Sequence, residues 1–119
     1  MRKGTSNLVL FALCWTIGLS PAHISRVIDG DTFVLATIRV WPGVAVTDER
    51  VRLLGIDAAE LNTPKGPDAK VFTENWLLGG AMTLKVCKRD SFGRLLGEVK
   101  RGDESLAEAL IAATLGVKR

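Results

Sequence analysis

The chain has 119 residues and two cysteines, with 16 lysine and arginine residues against 13 aspartate and glutamate residues. This length accommodates one domain and argues against two compact ones. Two cysteines exclude a disulfide-rich scaffold. The small excess of positive charge does not by itself indicate a nucleic-acid-binding protein.

Residues 1–22 have the pattern of a secretory signal peptide. Two basic residues near the start are followed by an apolar run from Leu8 to Leu19 and by small residues up to Ala22. The run is shorter than the ~20 residues that span a bilayer comfortably. We therefore expect cleavage after Ala22, a mature domain at 23–119, a secreted or periplasmic location, and no stable membrane association after cleavage. An uncleaved anchor is the alternative.

The predicted mature chain keeps 119 − 22 = 97 residues, which is enough for one small core. Because Cys14 would leave with the signal peptide, Cys87 is predicted to be an unpaired structural thiol. The mature chain has a local cluster of positive charge, which consists of Lys85, Lys88, Arg89 and Arg94.

Five strands are predicted from apolar and β-branched runs that are separated by turn residues. They span residues 23–29, 32–41, 44–54, 82–86 and 94–100. The turn between the first two strands is the Asp29-Gly30-Asp31 tripeptide.

Two helices are predicted. The first begins at Gly66-Pro67-Asp68, because proline suits the first helical position and an acid complements the positive helix end, and it finishes at Gly79-Gly80. Its apolar face carries Ala69, Phe72 and Trp76.

Ser105 and Glu108 match a capping box at the start of the second helix. Its predicted buried stripe consists of Leu106, Ala109, Leu110 and Ala113. Five strands with a helix after the third fit an α+β fold: a small five-stranded Greek-key β-barrel of the OB type with two packed helices.

Carboxylates and arginines stand at the ends of these strand-like runs. Asp29 and Asp31 flank a turn glycine, and Asp57 and Glu60 follow the run that contains Arg52. Carboxylates are the ligands that a hard cation such as calcium or magnesium needs, whereas arginine is suited to clamp a phosphate. The combination indicates metal-assisted chemistry on a phosphodiester.

Each piece alone has a simpler interpretation. Asp29-Gly30-Asp31 is then a hairpin turn, Asp57 and Glu60 are exposed loop acids, and Arg94 is a solvated strand residue.

The spacing of Arg52 and Asp57 adds a geometric condition. An odd separation would point the two side chains to opposite faces of a straight strand. If both serve one site, the strand must bend or end between them, and Gly55 is the expected place.

The chain resembles the staphylococcal nuclease, or thermonuclease, family from about Ser25 to about Leu115. The motifs that carry this resemblance are Ile28-Asp29-Gly30-Asp31-Thr32, Arg52-Leu53-Leu54-Gly55-Ile56-Asp57-x-x-Glu60, Gly66-Pro67-Asp68-Ala69 with Phe72-Thr73, Asp90-x-Phe92-Gly93-Arg94, and Glu108-Ala109-Leu110. Any one of them would be weak, but in this order and at these spacings they are specific.

The resemblance implies a calcium site in an OB-type barrel. Asp31, Asp57 and the main-chain carbonyl of Ala58 would bind the calcium ion, which accepts such mixed oxygen ligands. Asp29 would lie behind them and hold a water molecule of the ion.

It also implies catalytic roles for three residues. Glu60 would orient or deprotonate the attacking water. Arg52 and Arg94 would grip the scissile phosphate and stabilise the charge that develops in the transition state.

The chain departs from the family pattern at several points. Ala58-Ala59 replaces the usual Thr-Pro or Ala-Pro before Glu60, Phe92 replaces a common tyrosine, and Thr114 replaces a helix-ending glycine. The chain also ends at Arg119, where the family usually continues.

The expected function is therefore an exported, calcium-dependent nuclease that acts as a monomer. The resemblance implies hydrolysis of DNA and RNA with little sequence preference and with 3′-phosphate products. Single-stranded or frayed substrate is expected, because a small groove reaches unstacked bases more easily. The alternatives are a non-catalytic OB-type module that binds nucleic acid or peptide, and an inactive, shortened homologue.

Overall fold

The structure, a computed structural model, describes residues 14–36, 38–46 and 48–119. The α-helices within these ranges are α1 (Gly66–Leu77) and α2 (Leu106–Ala112), and a short 3₁₀ helix covers Pro21–His23. The strands are β1 (Trp15–Leu19), β2 (Ile24–Asp29), β3 (Thr32–Leu35), β4 (Ile38–Trp41), β5 (Val44–Val46), β6 (Arg50–Leu53), β7 (Ile56–Ala58), β8 (Met82–Arg89), β9 (Leu95–Arg101), β10 (Glu104–Ser105) and β11 (Gly116–Lys118). Neither helix has the length and apolar character that a membrane crossing would require.

The main sheet has the strand order β1-β8-β9-β6-β3-β2, and β10 pairs with β9. The β6–β9 pair is parallel, and the other pairs of this sheet are antiparallel. These features confirm the predicted α+β fold of the OB type. The barrel is not closed, since the two outer strands of the path, β1 and β2, do not pair with each other. The predicted strands 32–41 and 44–54 are each divided into two shorter ones.

The core lies between this sheet and the two helices. Its fully buried side chains include Phe33, Leu53, Ile56, Leu84 and Leu110. A parallel β6–β9 pair in the middle of the sheet brings Arg52 beside Leu96, so the arginine starts from a strand that is covered on both edges.

Helix α1 begins at the predicted Gly66 and ends two residues before Gly79. On the predicted apolar face, Ala69 is buried, and Phe72 and Trp76 are half-buried and pack against the core. Thr73 and Leu77 are buried as well. The Thr73 hydroxyl donates a hydrogen bond of 2.6 Å to the carbonyl of Gly30. This polar contact inside the core ties the helix to the Asp29-Gly30-Asp31 turn.

Helix α2 has the predicted N-cap, since the Ser105 hydroxyl accepts a hydrogen bond of 3.2 Å from the Glu108 amide. At its other end the Leu115 amide donates to the Leu110 carbonyl at 2.9 Å, and Thr114 has φ = +59°. This arrangement is a Schellman motif, in which the left-handed position usually holds glycine. It turns the chain into β11, which pairs antiparallel with β7.

Part of the predicted signal peptide is a strand in the structure. β1 pairs antiparallel with β8, and its Ile17 and Leu19 side chains are buried in the core. Cys14 forms a disulfide with Cys87. The prediction that Cys87 is unpaired is therefore wrong for a chain that retains Cys14, because strand pairing brings the two thiols together across 73 residues of sequence.

Candidate active site

The Asp29-Gly30-Asp31 turn is packed against its surroundings rather than projecting into solvent. A Cβ atom on Gly30 would lie 2.8 Å from the Ala58 Cβ and 2.9 Å from the Ala69 Cβ. Such distances are shorter than any ordinary contact, so only glycine lets the turn approach β7 and α1 this closely. The Asp31 amide donates to the Asp29 Oδ1 atom at 3.1 Å, which holds the Asp29 carboxylate against the backbone of the turn.

Arg52 forms the centre of the site. Its Nη1 atom donates to the carbonyls of Leu53 and Ile56 at 2.8 and 2.7 Å, and its Nη2 atom donates to the Asp57 Oδ1 atom at 2.5 Å. The strand ends between the two residues, and Gly55 has φ = +82° in the turn. The predicted bend is thus confirmed, and it is what allows the arginine to reach Asp57.

Asp31 joins this cluster from the other side. Its Oδ2 atom lies 3.5 Å from the Arg52 Nη1 atom and accepts a hydrogen bond of 2.8 Å from the Ala58 amide. Its Oδ1 atom accepts the Thr32 hydroxyl at 3.1 Å. The structure therefore brings Asp31, Asp57 and Ala58 together around one buried guanidinium group.

Asp29 has a perturbed acidity. Burial raises its pKa from 3.8 to about 6, and the neighbouring Asp31 contributes through a hydrogen bond and through like charge. Two carboxylates so close together favour either a shared proton or a nearby cation.

The donor chemistry of this cluster fits a hard cation. Asp31 and Asp57 supply carboxylate oxygens held near each other by Arg52, and a carboxylate oxygen can accept more than one contact. Within the described ranges, no three residues among His, Cys, Asp and Glu come close enough to form a metal cluster. A cation here would therefore rely on two carboxylates supplemented by carbonyl and water oxygens.

Arg94 and Arg52 both line a cleft of about 250 Å³. The Arg94 Nε atom donates to the Asp90 Oδ2 atom at 2.7 Å, and its guanidinium lies 5.4 Å from the centre of the Phe92 ring. The cleft has a third arginine, Arg119, which sequence reasoning missed. No local motif could have found it, because its position depends on the pairing of β11 with β7.

Glu60 does not join this cluster. Its side chain is exposed in the loop after β7. Among the described residues, the hydrogen bonds of Glu60 are made by its main-chain carbonyl, which accepts from the amide and the hydroxyl of Thr63. The residue that precedes it, Ala59, is held by a 2.9 Å hydrogen bond from its amide to the Leu115 carbonyl. The backbone is thus anchored just before Glu60, whereas the side chain itself is exposed.

The residues of the predicted basic cluster differ in their partners. Arg89 forms two hydrogen bonds with the Glu49 carboxylate, at 2.8 and 2.7 Å, and this contact holds the pKa of Glu49 below its usual value of 4.5. Lys85 and Lys88 line a separate cavity of about 180 Å³ next to the cleft. Glu98 lines the same cavity and opposes their positive charge, whereas the charge of Arg89 is paired directly with Glu49.

Comparison with known proteins bears on this site directly. A family profile described as "Staphylococcal nuclease homologue" matches residues 50–117, which include Arg52, Asp57, Glu60 and Arg94. An uncharacterized endonuclease of Escherichia coli O157:H7 is 34% identical over 98 residues, which are 81% of this chain and 60% of that protein. The thermonuclease of Staphylococcus intermedius is 37% identical over 89 residues, covering 68% of this chain and 49% of that protein.

The chain spans about half to three fifths of the length of these relatives. The family profile covers more than half of the chain, and it includes the strand, turn and helix that assemble the Arg52 cluster. On this basis the chain belongs to the staphylococcal nuclease homologue family.

Proposed function

We propose that this protein is a calcium-dependent nuclease that hydrolyses phosphodiester bonds of DNA and RNA with little sequence preference. One observation supports the proposal above all others. The buried guanidinium of Arg52 lies within 3.5 Å of the Asp31 carboxylate and 2.5 Å of the Asp57 carboxylate, and it lines a cleft that also contains Arg94. A site with both cation-binding and phosphate-binding groups matches the needs of phosphodiester cleavage.

The proposed cation site uses Asp31, Asp57 and the Ala58 carbonyl, with Asp29 behind them. When bound there, calcium would supply positive charge that offsets the negative charge developing on the phosphate. Asp31 and Asp57 are already oriented for this role by Arg52 and by the Ala58 amide, so little conformational freedom is lost when the ion binds.

Arg52 and Arg94 have different roles in this proposal. A guanidinium has five N–H donors, and three contacts of Arg52 go to protein groups: Leu53, Ile56 and Asp57. Arg52 therefore mainly organises the site and offers few donors to substrate. Arg94 uses only Nε for Asp90 among the described residues, which leaves both of its terminal nitrogens to hold the phosphate.

Glu60 is the proposed general base for the attacking water. Its exposed carboxylate lies just after the anchored Ala59, at the edge of the same loop. Catalytic hydrogen bonds are often long or poorly aligned in apo structures, so this role does not require Glu60 to contact the Arg52 cluster before substrate binds.

We also propose that the protein is exported, under the direction of residues 1–22, and that it works as a monomer in the secreted or periplasmic space. Its substrate would be single-stranded or frayed nucleic acid, because a cleft of this size admits an extended strand better than a duplex. N-terminal sequencing of protein recovered outside the cytoplasm tests export, and its mass in solution tests the monomeric state.

The decisive experiment measures cleavage of single-stranded DNA and RNA by the full chain with calcium, with magnesium and with a chelator. We expect cleavage with calcium and none with the chelator. Asp31→Asn should weaken calcium binding, because it removes a charged ligand. Glu60→Gln should leave calcium binding nearly unchanged and lower the single-turnover rate by ~10²–10⁴-fold. Arg94→Lys should lower the rate because lysine cannot bind two phosphate oxygens in the same way.

The control is Asp103→Asn, which removes one negative charge from the exposed turn between β9 and β10. It should cleave like the parent. Cleavage by all three site variants at the parental rate would place the active site elsewhere. Tight nucleic-acid binding without cleavage under any of these conditions would favour the non-catalytic binding module.

A further inference from the structure

We propose that Arg119 is a third phosphate-binding arginine of the cleft, which contacts a substrate phosphate next to the one held by Arg94. This inference rests on the proposed function for its substrate class. The proposed function does not involve Arg119, which lies outside the range that the family profile matches.

The position of Arg119 is fixed by the sheet. β11 pairs with β7 through the register of Gly116 with Ala58 and Lys118 with Ile56, and the Arg119 amide extends this ladder by donating to the Gly55 carbonyl at 3.0 Å. Because neighbouring residues of an extended chain point to opposite sides, Lys118 and Arg119 project in opposite directions. Arg119 lines the cleft, and Lys118 does not.

The guanidinium of Arg119 is available to a ligand. Its side chain is 64% exposed, and its contact among the described residues is an ion pair of 3.7 Å from Nη1 to the Asp57 Oδ1 atom. That distance is too long for a hydrogen bond. Arg52, by contrast, is 8% exposed and has already committed three donors to protein groups.

The charge of the cleft also depends on Arg119. Arg52 is paired with Asp31 and Asp57, and Arg94 is paired with Asp90, so Arg119 adds a positive charge beside two guanidinium groups that carboxylates already compensate. A phosphodiester carries one negative charge, and arginines that are already paired with carboxylates would attract it weakly in the absence of a metal ion.

Binding of an oligonucleotide without metal tests this role directly. The probe is a fluorescein-labelled single-stranded octathymidylate, titrated with the full chain in EDTA at several salt concentrations. Each contacted phosphate of a single strand contributes ~0.7 to the slope of log K against log salt concentration. We expect Arg119→Ala to lower the slope by about 0.7, which corresponds to up to about eightfold weaker binding at 50 mM salt. Arg119→Lys should retain most of the slope.

Lys118→Ala is the matched control, because it removes the same charge from the neighbouring residue on the opposite side of β11. It should change the slope by much less than Arg119→Ala does. Equal slopes for the parent and Arg119→Ala, or equal losses for the two alanine variants, would overturn the inference.

Steady-state cleavage with calcium separates phosphate contact from other roles. A residue that holds a neighbouring phosphate equally well before and during reaction should, when removed, raise KM and leave kcat unchanged. A residue that only orients Asp57 should instead change calcium affinity and leave the metal-free slope as it is. If neither the parent nor any variant cleaves but Arg119→Ala lowers the slope as expected, the proposed nuclease activity fails while the role of Arg119 stands.

Discussion

At the scale of single residues, Thr114 adopts a backbone conformation that its side chain disfavours. It occupies the left-handed position of the Schellman motif with φ = +59°, although its branched Cβ disfavours that region. Its carbonyl also accepts a 3.1 Å hydrogen bond from the Lys65 side chain, which is retained by any substitution that keeps the backbone in place.

Thr114→Gly should therefore stabilise the protein by ~1 kcal/mol, since glycine adopts this conformation without steric cost. Equilibrium denaturation in urea measures the effect as a higher midpoint with an unchanged slope. Thr114→Ala is the control and should give little or no gain, because alanine keeps a Cβ. A midpoint for Thr114→Gly at or below the parental value would contradict the interpretation.

Asp90 determines where Arg94 lies. Its Oδ1 atom accepts the amides of Phe92 and Arg94, both at 2.9 Å, and its Oδ2 atom accepts the Arg94 Nε atom. Burial opposes ionisation of this carboxyl, but the Arg94 and Phe92 amides and the charged guanidinium outweigh burial and hold its pKa below its usual 3.8.

A lowered pKa means that Asp90 stabilises the fold above its unfolded-state pKa and loses this contribution as the pH falls through the folded value. Asp90→Asn should thus destabilise the protein at pH 7, and the difference from the parent should shrink towards pH 3. Urea midpoints of both proteins at the two pH values check this. A difference that grows on acidification would show that another group dominates.

At the scale of elements, β1 is the addition that the sequence patterns did not predict. It covers the free edge of β8, buries Ile17 and Leu19, and is tied to β8 by the Cys14–Cys87 disulfide. Cleavage after Ala22 would remove this strand together with Cys14. The predicted processing site and the strand therefore exclude each other within one mature molecule, and the N-terminus of the exported protein decides between them.

The contribution of β1 to stability can be measured without regard to processing. Each buried aliphatic side chain contributes about 1.5–3 kcal/mol, and a disulfide typically about 2–4 kcal/mol. Residues 23–119 alone should be less stable than the full chain by several kcal/mol. Cys87→Ser in the full chain should lose only the disulfide contribution, and the parent should lose a similar amount in reductant. Equal stability of the full chain and the shorter one would mean that β1 does not pair in solution.

At the scale of the whole molecule, the site joins segments that are distant in sequence. Asp31 comes from the β2–β3 turn, Arg52 from β6, Asp57 from β7 and Arg119 from the chain after β11. A ligand that binds all of them binds only the folded chain, so it should stabilise the molecule by mass action.

We expect calcium together with octathymidylate to raise the thermal midpoint of the full chain. At a free ligand concentration of 100 times Kd the gain is ~2.7 kcal/mol, which corresponds to roughly 10 °C for a domain of this size. Asp31→Asn should reduce the part of the gain that depends on calcium. A midpoint that stays the same with both ligands present would argue that neither binds at this site.

The sequence by itself determined the parts whose signals are local. The Asp29-Gly30-Asp31 turn, the start of α1, the Ser105 cap and the bend at Gly55 each depend on residues a few positions apart. Counting residues from Arg52 to Asp57 gave only the condition that the strand must bend or end between them, and the structure supplied the contact itself.

The tertiary structure alone decided what depends on pairing between distant segments. It brought β1 to β8, placed Arg119 in the cleft through β11 and β7, and buried Thr73 of α1 in the core. Strand register is fixed by how whole faces pack, and a shift of one residue reverses every side chain. No pattern within a short stretch of sequence contains that information.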